Sequence, residues 1–196
     1  RREVPRDVIL YRPGLEELPE QAVIGTSSRR RMIQMEKLYP GCTFRGIRGN
    51  VQTRMRKLET EGYDATLLAA AGLNRLGMGH VISQYFSVDE MIPAAGQGIL
   101  AVQGRKGESH SWIERIDVRE SRAAALAERN FIRVTGGDCT SPCAAHAQVN
   151  GNVLKLTGLY YNEDTEEYSV DVIVTDAAKA DQAGETLAER MMRESL

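Results

Sequence analysis

The stretch "QAVIGTSSRRRMIQMEKLYP", Gln21 to Pro40, decides the architecture of the first half. Val23 and Ile24 read as a short buried strand and Gly25 as the turn that ends it. Thr26, Ser27 or Ser28 caps a helix that Pro40-Gly41 stops. The same unit then repeats. "CTFRGIRGN" (Cys42–Asn50) predicts a strand running into a glycine turn, and "VQTRMRKLETEGY" (Val51–Tyr63) a helix with Val51, Met55 and Leu58 on one face. "DATLLAAAG" (Asp64–Gly72) is a continuous apolar run, as in a strand buried on both faces, and "LNRLGMG" starts another short helix. Strands alternating with helices at this rhythm predict a parallel sheet of β-α-β units. Ligands of such sheets sit at the carboxyl ends of the strands, where these glycine turns fall.

"MIPAAGQGILAVQGR" (Met91–Arg105) breaks the rhythm: Pro93, Gly96 and Gly98 suggest a hinge, and "GILAVQG" reads as one more strand. "DVRESRAAALAERNFIRVTGG" (Asp117–Gly137) predicts an alanine-rich helix with Ala124, Leu126, Ala127 and Phe131 on its core face and Gly136 as its C-terminal cap. Three apolar or alternating segments follow, "AAHAQVN", "NVLKLTGLYY" and "EYSVDVIVT", with Asn150-Gly151 as a hairpin signal between the first two. A helix from Asp176 closes the chain. The second half therefore reads as a small α+β domain, a three-stranded antiparallel sheet backed by helices.

The hydrophobic and charged fractions, 42% and 27%, belong to a folded globular chain rather than a disordered one. No apolar run approaches the roughly 20 residues that span a bilayer, and "RREVPRDVIL" has no signal-peptide core. Three cysteines, Cys42, Cys139 and Cys143, cannot all pair. A cytoplasmic protein with no membrane partner is the expectation. The net charge of -2 hides an asymmetry: nine Lys or Arg against one acid from Arg29 to Lys57, and ten acids against three bases from Tyr160 onward. An anionic partner for the first half follows.

Two turns carry that expectation, "GTSSRRR" and "RGIRGNVQTRMRK". Each puts a glycine turn at a helix N-terminus, where free N–H groups and the helix dipole favour an anion. Thr26, Ser27 and Ser28 add hydroxyls, and Arg30, Arg31, Arg48 and Arg54 add forks that match carboxylate or phosphate. A nucleic-acid groove would interleave aromatics, and only Tyr39 and Phe44 are near. A Walker-type loop would have a Lys after its glycines. The pattern suits a ligand with several carboxylates. A carboxylate- or phosphate-binding module without chemistry is the alternative to an enzyme.

"RVTGGDCTSPCAAHA" (Arg133–Ala147) holds two thiols and an imidazole. Cys139, Cys143 and His146 have spacings that could ligate zinc, but no fourth ligand accompanies them. Cys143, followed by two alanines, suits a buried inert thiol. Cys139 follows Gly136-Gly137-Asp138 and precedes Pro142, which suits an accessible loop and a nucleophile.

"VIGTSSRRR", "RGIRGNVQTR", "YDATLLAAAGLNRLG", "IPAAGQG" and "GGDCTSP" stand in the order and spacing of hydroxymethylbilane synthases, also called porphobilinogen deaminases, and the chain resembles that family along nearly its whole length. The resemblance implies a periplasmic-binding-protein-like β-α-β domain over residues 1–95, a hinge and strand over 96–107, and a cofactor-attachment domain over 108–196. It implies a transferase of haem and tetrapyrrole biosynthesis that joins four porphobilinogen molecules, with loss of ammonia, into a linear tetrapyrrole. A dipyrromethane cofactor, bound by a thioether to the position of Cys139, would prime the reaction. Arg30, Arg31, Arg48, Arg54 and Arg75 match the family's substrate- and cofactor-binding arginines. Thr26, Ser27, Gly49 and Asn50 match its turn residues, and Gln97 falls in its hinge. The implied partners are porphobilinogen and oligopyrrole intermediates, in a monomer without nucleic acid.

The resemblance also implies departures. The family's essential aspartate belongs to a first domain, whereas this chain starts at a stretch like the crossover into the second. No catalytic carboxylate is therefore expected here, the 196 residues alone are expected to be inactive, Cys139 to be unmodified, and "GILAVQG" to be an orphan strand. Asp138 is an extra residue before the cysteine, Arg29 replaces an apolar residue, and Cys143 an aliphatic one.

Overall fold

The computed structural model describes residues 1–137 and 141–195. Its first lobe is built on a five-stranded sheet of β1 (Asp7–Tyr11), β2 (Val23–Gly25), β3 (Thr43–Arg45), β4 (Ala65–Ala69) and β5 (Gln84–Tyr85), in the order β3-β2-β4-β1-β5. β2 runs parallel to both β3 and β4, with Ile24 opposite Phe44 and Ala65. These are the expected β-α-β units, connected by α1 (Arg29–Leu38) and α2 (Val51–Thr60). The sheet is nevertheless mixed, because β1 lies antiparallel to β4 and β5. Nothing in the rhythm of the sequence marks β1: it enters before the first crossover, without a helix of its own.

Period-two alternation along the strands feeds two layers of core. Val8, Leu10 and Leu68 face α2, where Leu58 is buried and Val51 and Met55 pack beside it. Ile9, Ile24 and Leu67 face the other way, onto Met35 of α1, Phe86 and Met91. The apolar run after Asp64 divides in two. Its Thr-Leu-Leu centre forms β4, and its alanines, strong helix formers, begin α3 (Ala70–Arg75).

"GILAVQG" forms no strand. Gly96 and Gly98 take φ of 75° and 83° in consecutive turns, and Leu100 and Val102 beyond them are exposed. The segment has β-forming residues, but Gly98 and Ile99 make only single turn and hinge bonds and no described strand lies beside it, and a strand without a partner gains no ladder. The hinge before it is well tied. Glu3 N–H donates to Gly98 O at 2.9 Å, Arg2 Nε to Gln97 O at 3.0 Å, and Gln97 Nε2 to Pro5 O at 2.6 Å.

The second lobe contains the one-turn α4 (Ile113–Ile116), the long α5 (Arg119–Val134), and an antiparallel sheet of β6 (Ala144–Asn150), β7 (Val153–Asn162) and β8 (Glu167–Asp176) in that order. It closes with α6 (Ala180–Glu194). α5 and α6 cover one face, burying Leu154 and Leu156 against Ala127, Phe131 and Leu187. Leu126, expected on the core stripe of α5, is instead exposed, because its position is rotated away from the Ala124, Ala127 and Phe131 line; Ala123 takes the buried place. The hairpin also shifts by one residue. Asn150 pairs with Val153, so Gly151 and Asn152 are the central turn residues, and Gly151 supplies the φ of 59°.

The two helices approach closely at Gly184, where an added Cβ would lie 2.2 Å from the Ala127 carbonyl oxygen. Backbone cannot yield as a side-chain tip can. Gly184→Ala is expected to lower stability by about 1–3 kcal/mol in urea unfolding, despite the better helix propensity of alanine.

Candidate active site between the two lobes

Because β2, β3 and β4 are parallel, their carboxyl ends share one edge, and the turns into α1 and α2 meet there. Thr26 is buried; its N–H donates to Arg45 O at 3.0 Å, and its Oγ1 accepts from Ser28 N–H at 3.2 Å. Ser27 Oγ donates to Ile47 O at 3.3 Å, which stitches the first turn to the second. In the second turn Gly49 has a φ of 119°, and Asn50 caps α2 by accepting from Thr53 N–H at 2.8 Å. Arg54 Nε returns to Gly49 O at 2.9 Å.

The arginines divide into two sets. Arg30 and Arg31 are largely engaged by the protein itself, through Asp7 at the start of β1. Arg30 Nη1 donates to Asp7 Oδ2 at 2.7 Å and to Ile92 O at 2.7 Å. Arg31 donates from Nε and Nη2 to Asp7 Oδ1 at 3.0 and 2.7 Å, and from Nη1 to Leu67 O at 3.1 Å. Gln97 Nε2 adds a contact to Asp7 Oδ1 at 3.2 Å. Burial by itself would raise the Asp7 carboxyl, but Arg31 and Arg30 outweigh it and hold it below the usual 3.8. The cluster thus carries two positive charges and one negative. Asp7 is a site residue that no motif signals; its only trace in the sequence is a carboxylate abutting the apolar run "VILY".

Arg48 and Arg75 are exposed and Arg54 is half-buried. Burial first, and then the neighbouring Arg31 charge, push the Arg54 pKa down. None of these three has a carboxylate within ion-pair distance among the described residues.

A cavity of about 540 Å³ opens between the lobes. Arg30, Arg31 and Gln97 form its first-lobe wall, and Arg129 and Arg133 of α5 face them from the second lobe. Arg48, Arg54, Arg75, Thr26, Ser27, Gly49 and Asn50 do not line it; they occupy the strand-end turns, α2 and α3. No carboxylate is among its described lining residues. Gly137 and Ser141 both belong to its wall, so the chain on either side of residues 138–140 borders it. Cys139, and with it Asp138, lies outside the described residues. Cys143, buried as expected, also reaches the wall. Among the described residues no group of three His, Cys, Asp or Glu side chains is placed to hold a metal ion.

The lobes are held by a second buried carboxylate. Glu128, fully buried on α5, accepts from Arg2 Nη1 at 2.6 Å, from Gly96 N–H at 2.6 Å and from Ala147 N–H at 2.7 Å. It therefore joins both crossover segments to β6. Burial pushes its pKa up, with Arg2 and the two N–H groups pulling back. His146 Nδ1 stands 3.6 Å away, and burial pushes its pKa down to about 4, so it is neutral at pH 7. At the outer rim Arg29 makes a bidentate pair with Glu163, at 2.7 and 2.9 Å, over the Tyr161 ring. Ile92, Ala144 and Leu159 form a small apolar seam.

The family model described as "Porphobilinogen deaminase, dipyromethane cofactor binding domain" matches residues 1–112, and that described as "Porphobilinogen deaminase, C-terminal domain" matches residues 123–193. The chain belongs to the porphobilinogen deaminase family. Similar proteins named porphobilinogen deaminase include one from Ruminiclostridium josui, 44% identical over 97% of this chain and 65% of its own length. Those from Acetivibrio thermocellus and Coxiella burnetii are 42% and 40% identical, over 98% and 99% of this chain and 66% and 64% of their own lengths. The chain thus spans just under two thirds of the length of these porphobilinogen deaminases. The β-α-β lobe with a separate three-stranded antiparallel sheet is the architecture expected of the family, and no described helix is long and apolar enough to cross a membrane.

The family's dipyrromethane cofactor suits the cavity. Its rings carry acetate and propionate side chains, and the walls offer guanidinium groups without a competing carboxylate among the described residues. The volume is in the range of small-molecule sites.

Proposed function

We propose that this chain supplies the cofactor-binding and cofactor-attachment lobes of a porphobilinogen deaminase, the enzyme that condenses four porphobilinogen molecules into hydroxymethylbilane with release of ammonia. Residues 1–95 act as the binding lobe, 96–107 as the hinge and 108–196 as the attachment lobe. Cys139 is the tether for the dipyrromethane, which when bound supplies the primer that accepts new pyrrole units. Arg30, Arg31 and Gln97 hold acid side chains at the cavity. Arg48, Arg54 and Arg75, with the turn donors Thr26, Ser27, Gly49 and Asn50, hold those of the incoming or growing chain. Their work is positioning, which converts encounters of oligopyrrole and monomer into an oriented reaction. The two described cysteines are free thiols, in keeping with a cytoplasmic setting.

The observation that carries this reading is the cavity between the lobes, walled by arginines and bordered by both flanks of Cys139. The same wall explains why we assign no catalytic residue. Stabilising positive charge on a pyrrole nitrogen needs a carboxylate, the described lining has none, and Asp7 is consumed by two arginines. Purified 196-residue chain given porphobilinogen is therefore expected to release no ammonia and keep its unmodified mass. It should still bind a free synthetic dipyrromethane bearing two acetates and two propionates in a calorimetric titration. Turnover would overturn the reading that the cavity holds no catalytic carboxylate, and an absence of binding would overturn the site.

A further inference from the structure

The three-stranded sheet of the second lobe has two edges, and the same arrangement closes a point on each. On β6, Ala147 N–H donates to Glu128 Oε1 at 2.7 Å and Ala147 O accepts from Arg2 Nη1 at 3.2 Å. Those two side chains pair with each other at 2.6 Å. On β8, Val172 N–H donates to Asp171 Oδ1 at 2.7 Å and Val172 O accepts from Arg190 Nη2 at 3.1 Å. Asp171 and Arg190 again pair, at 2.6 Å. The β6 pair ties the lobe to the crossover segments. The β8 pair joins no second element to the lobe, because Arg190 belongs to α6, which already packs on the sheet. Its Nε is buried without an acceptor, a cost that an ordinary surface ion pair does not carry.

β8 is a strand that calls for protection. It is ten residues long, has β7 as its one partner among the described strands, and contains neither Pro nor Lys. Side chains take both backbone groups of Val172, so those groups point to the open edge. The period of two points those of Val170 and Val174 the same way. Ile173 packs toward α5 and α6, which leaves the three valine side chains on the opposite face, exposed. An antiparallel second copy centred on Val172 would set Val172 against itself and Val170 against Val174, a continuous β-branched row. Each acid of β8 would then face an uncharged residue: Asp171 faces Ile173, Asp176 faces Tyr168 and Glu167 faces Ala177. The edge is therefore complementary to itself in shape and charge. We infer that the Arg190–Asp171 pair is a plug in the β8 edge, and that it stops two copies of this chain from joining their sheets there. Strand addition must strip Arg190 from Val172 O and Asp171 from Val172 N–H in both copies, and dehydrate the charges as it does so.

The test is sedimentation velocity over a range of concentrations for the whole chain, for D171A/R190A and for D117A/R122A. Each variant removes one ion pair and leaves the net charge unchanged; the Asp117–Arg122 pair makes no bond to a strand. D171A/R190A should dimerise at concentrations about tenfold or more below any at which the unaltered chain does, since no charged bonds need breaking. D117A/R122A should behave as the unaltered chain. Adding V172K to D171A/R190A sets two like charges opposite each other at the two-fold and should restore the monomer. Circular dichroism checks folding, and R190M, which keeps the stem and loses only the fork, replaces the double variant if that one unfolds. A folded D171A/R190A no readier to dimerise than the unaltered chain would overturn the plug. Equal dimerisation of D117A/R122A, or dimers that survive V172K, would overturn it as well, since the association would then use another surface.

Discussion

Asp7→Asn is expected to cost about 3–5 kcal/mol of stability, the usual consequence of removing one partner from a buried ion pair. Asp7 is fully buried and holds Arg30 and Arg31 in place across the sheet. An amide in its place must turn at least one N–H toward a guanidinium that is itself nearly out of reach of water. Urea unfolding followed by circular dichroism should show the loss at neutral pH. The pH dependence has a definite sign. The folded carboxyl titrates below the ordinary 3.8, so its contribution is fully present above that value and is lost as pH falls through the lower folded one. The stabilities of the original and Asp7→Asn chains should therefore converge only in strong acid. A constant difference across that range would mean that the carboxylate charge is not what matters.

Glu128→Gln should be comparably damaging, by a different route. One carboxylate oxygen accepts from Arg2 Nη1 and Ala147 N–H, and the other from Gly96 N–H and, at 3.3 Å, from Arg2 Nη2. A glutamine can keep its carbonyl oxygen on the first pair, but its amide N–H groups then face the Gly96 N–H. The penalty is a buried donor left without an acceptor plus the loss of an ion pair, about 2–4 kcal/mol together. Its distinctive mark is local. Amide hydrogen exchange at Gly96 should quicken more than exchange in the β7–β8 ladder, because the hinge loses its anchor while the sheet keeps its pairing. Uniform acceleration throughout the second lobe would argue that Glu128 supports the fold generally rather than the hinge.

These two carboxylates show where the sequence stops being informative. The β2-α1 and β3-α2 units are legible because glycine turns, N-cap residues and three-to-four spacings such as Val51, Met55 and Leu58 are local signals. The arginine-rich turns are legible for the same reason. What α1's arginines bind is not, since Asp7 lies more than twenty residues away and meets them only after β1 inserts beside β4. "GILAVQG" misleads in the opposite sense: its composition suits a strand, but a strand depends on a neighbour that composition does not specify. Glu128 left a readable trace, an acid on the apolar stripe between Ala124 and Phe131, where an ionised group belongs only if something pairs with it. Arg129 and Arg133 look like ordinary surface charges until the second lobe turns them toward Arg30 and Arg31. The tethering role of Cys139 rests on its sequence context, with the walls on either side now placed at the cavity.

The most direct measurement is a crystal structure of the chain with the free dipyrromethane tetra-acid bound. The rings should lie between α1 and α5, with carboxylates in hydrogen-bond reach of guanidinium groups from both lobes. Rings seated elsewhere, or carboxylates turned to solvent with those arginines untouched, would contradict the account.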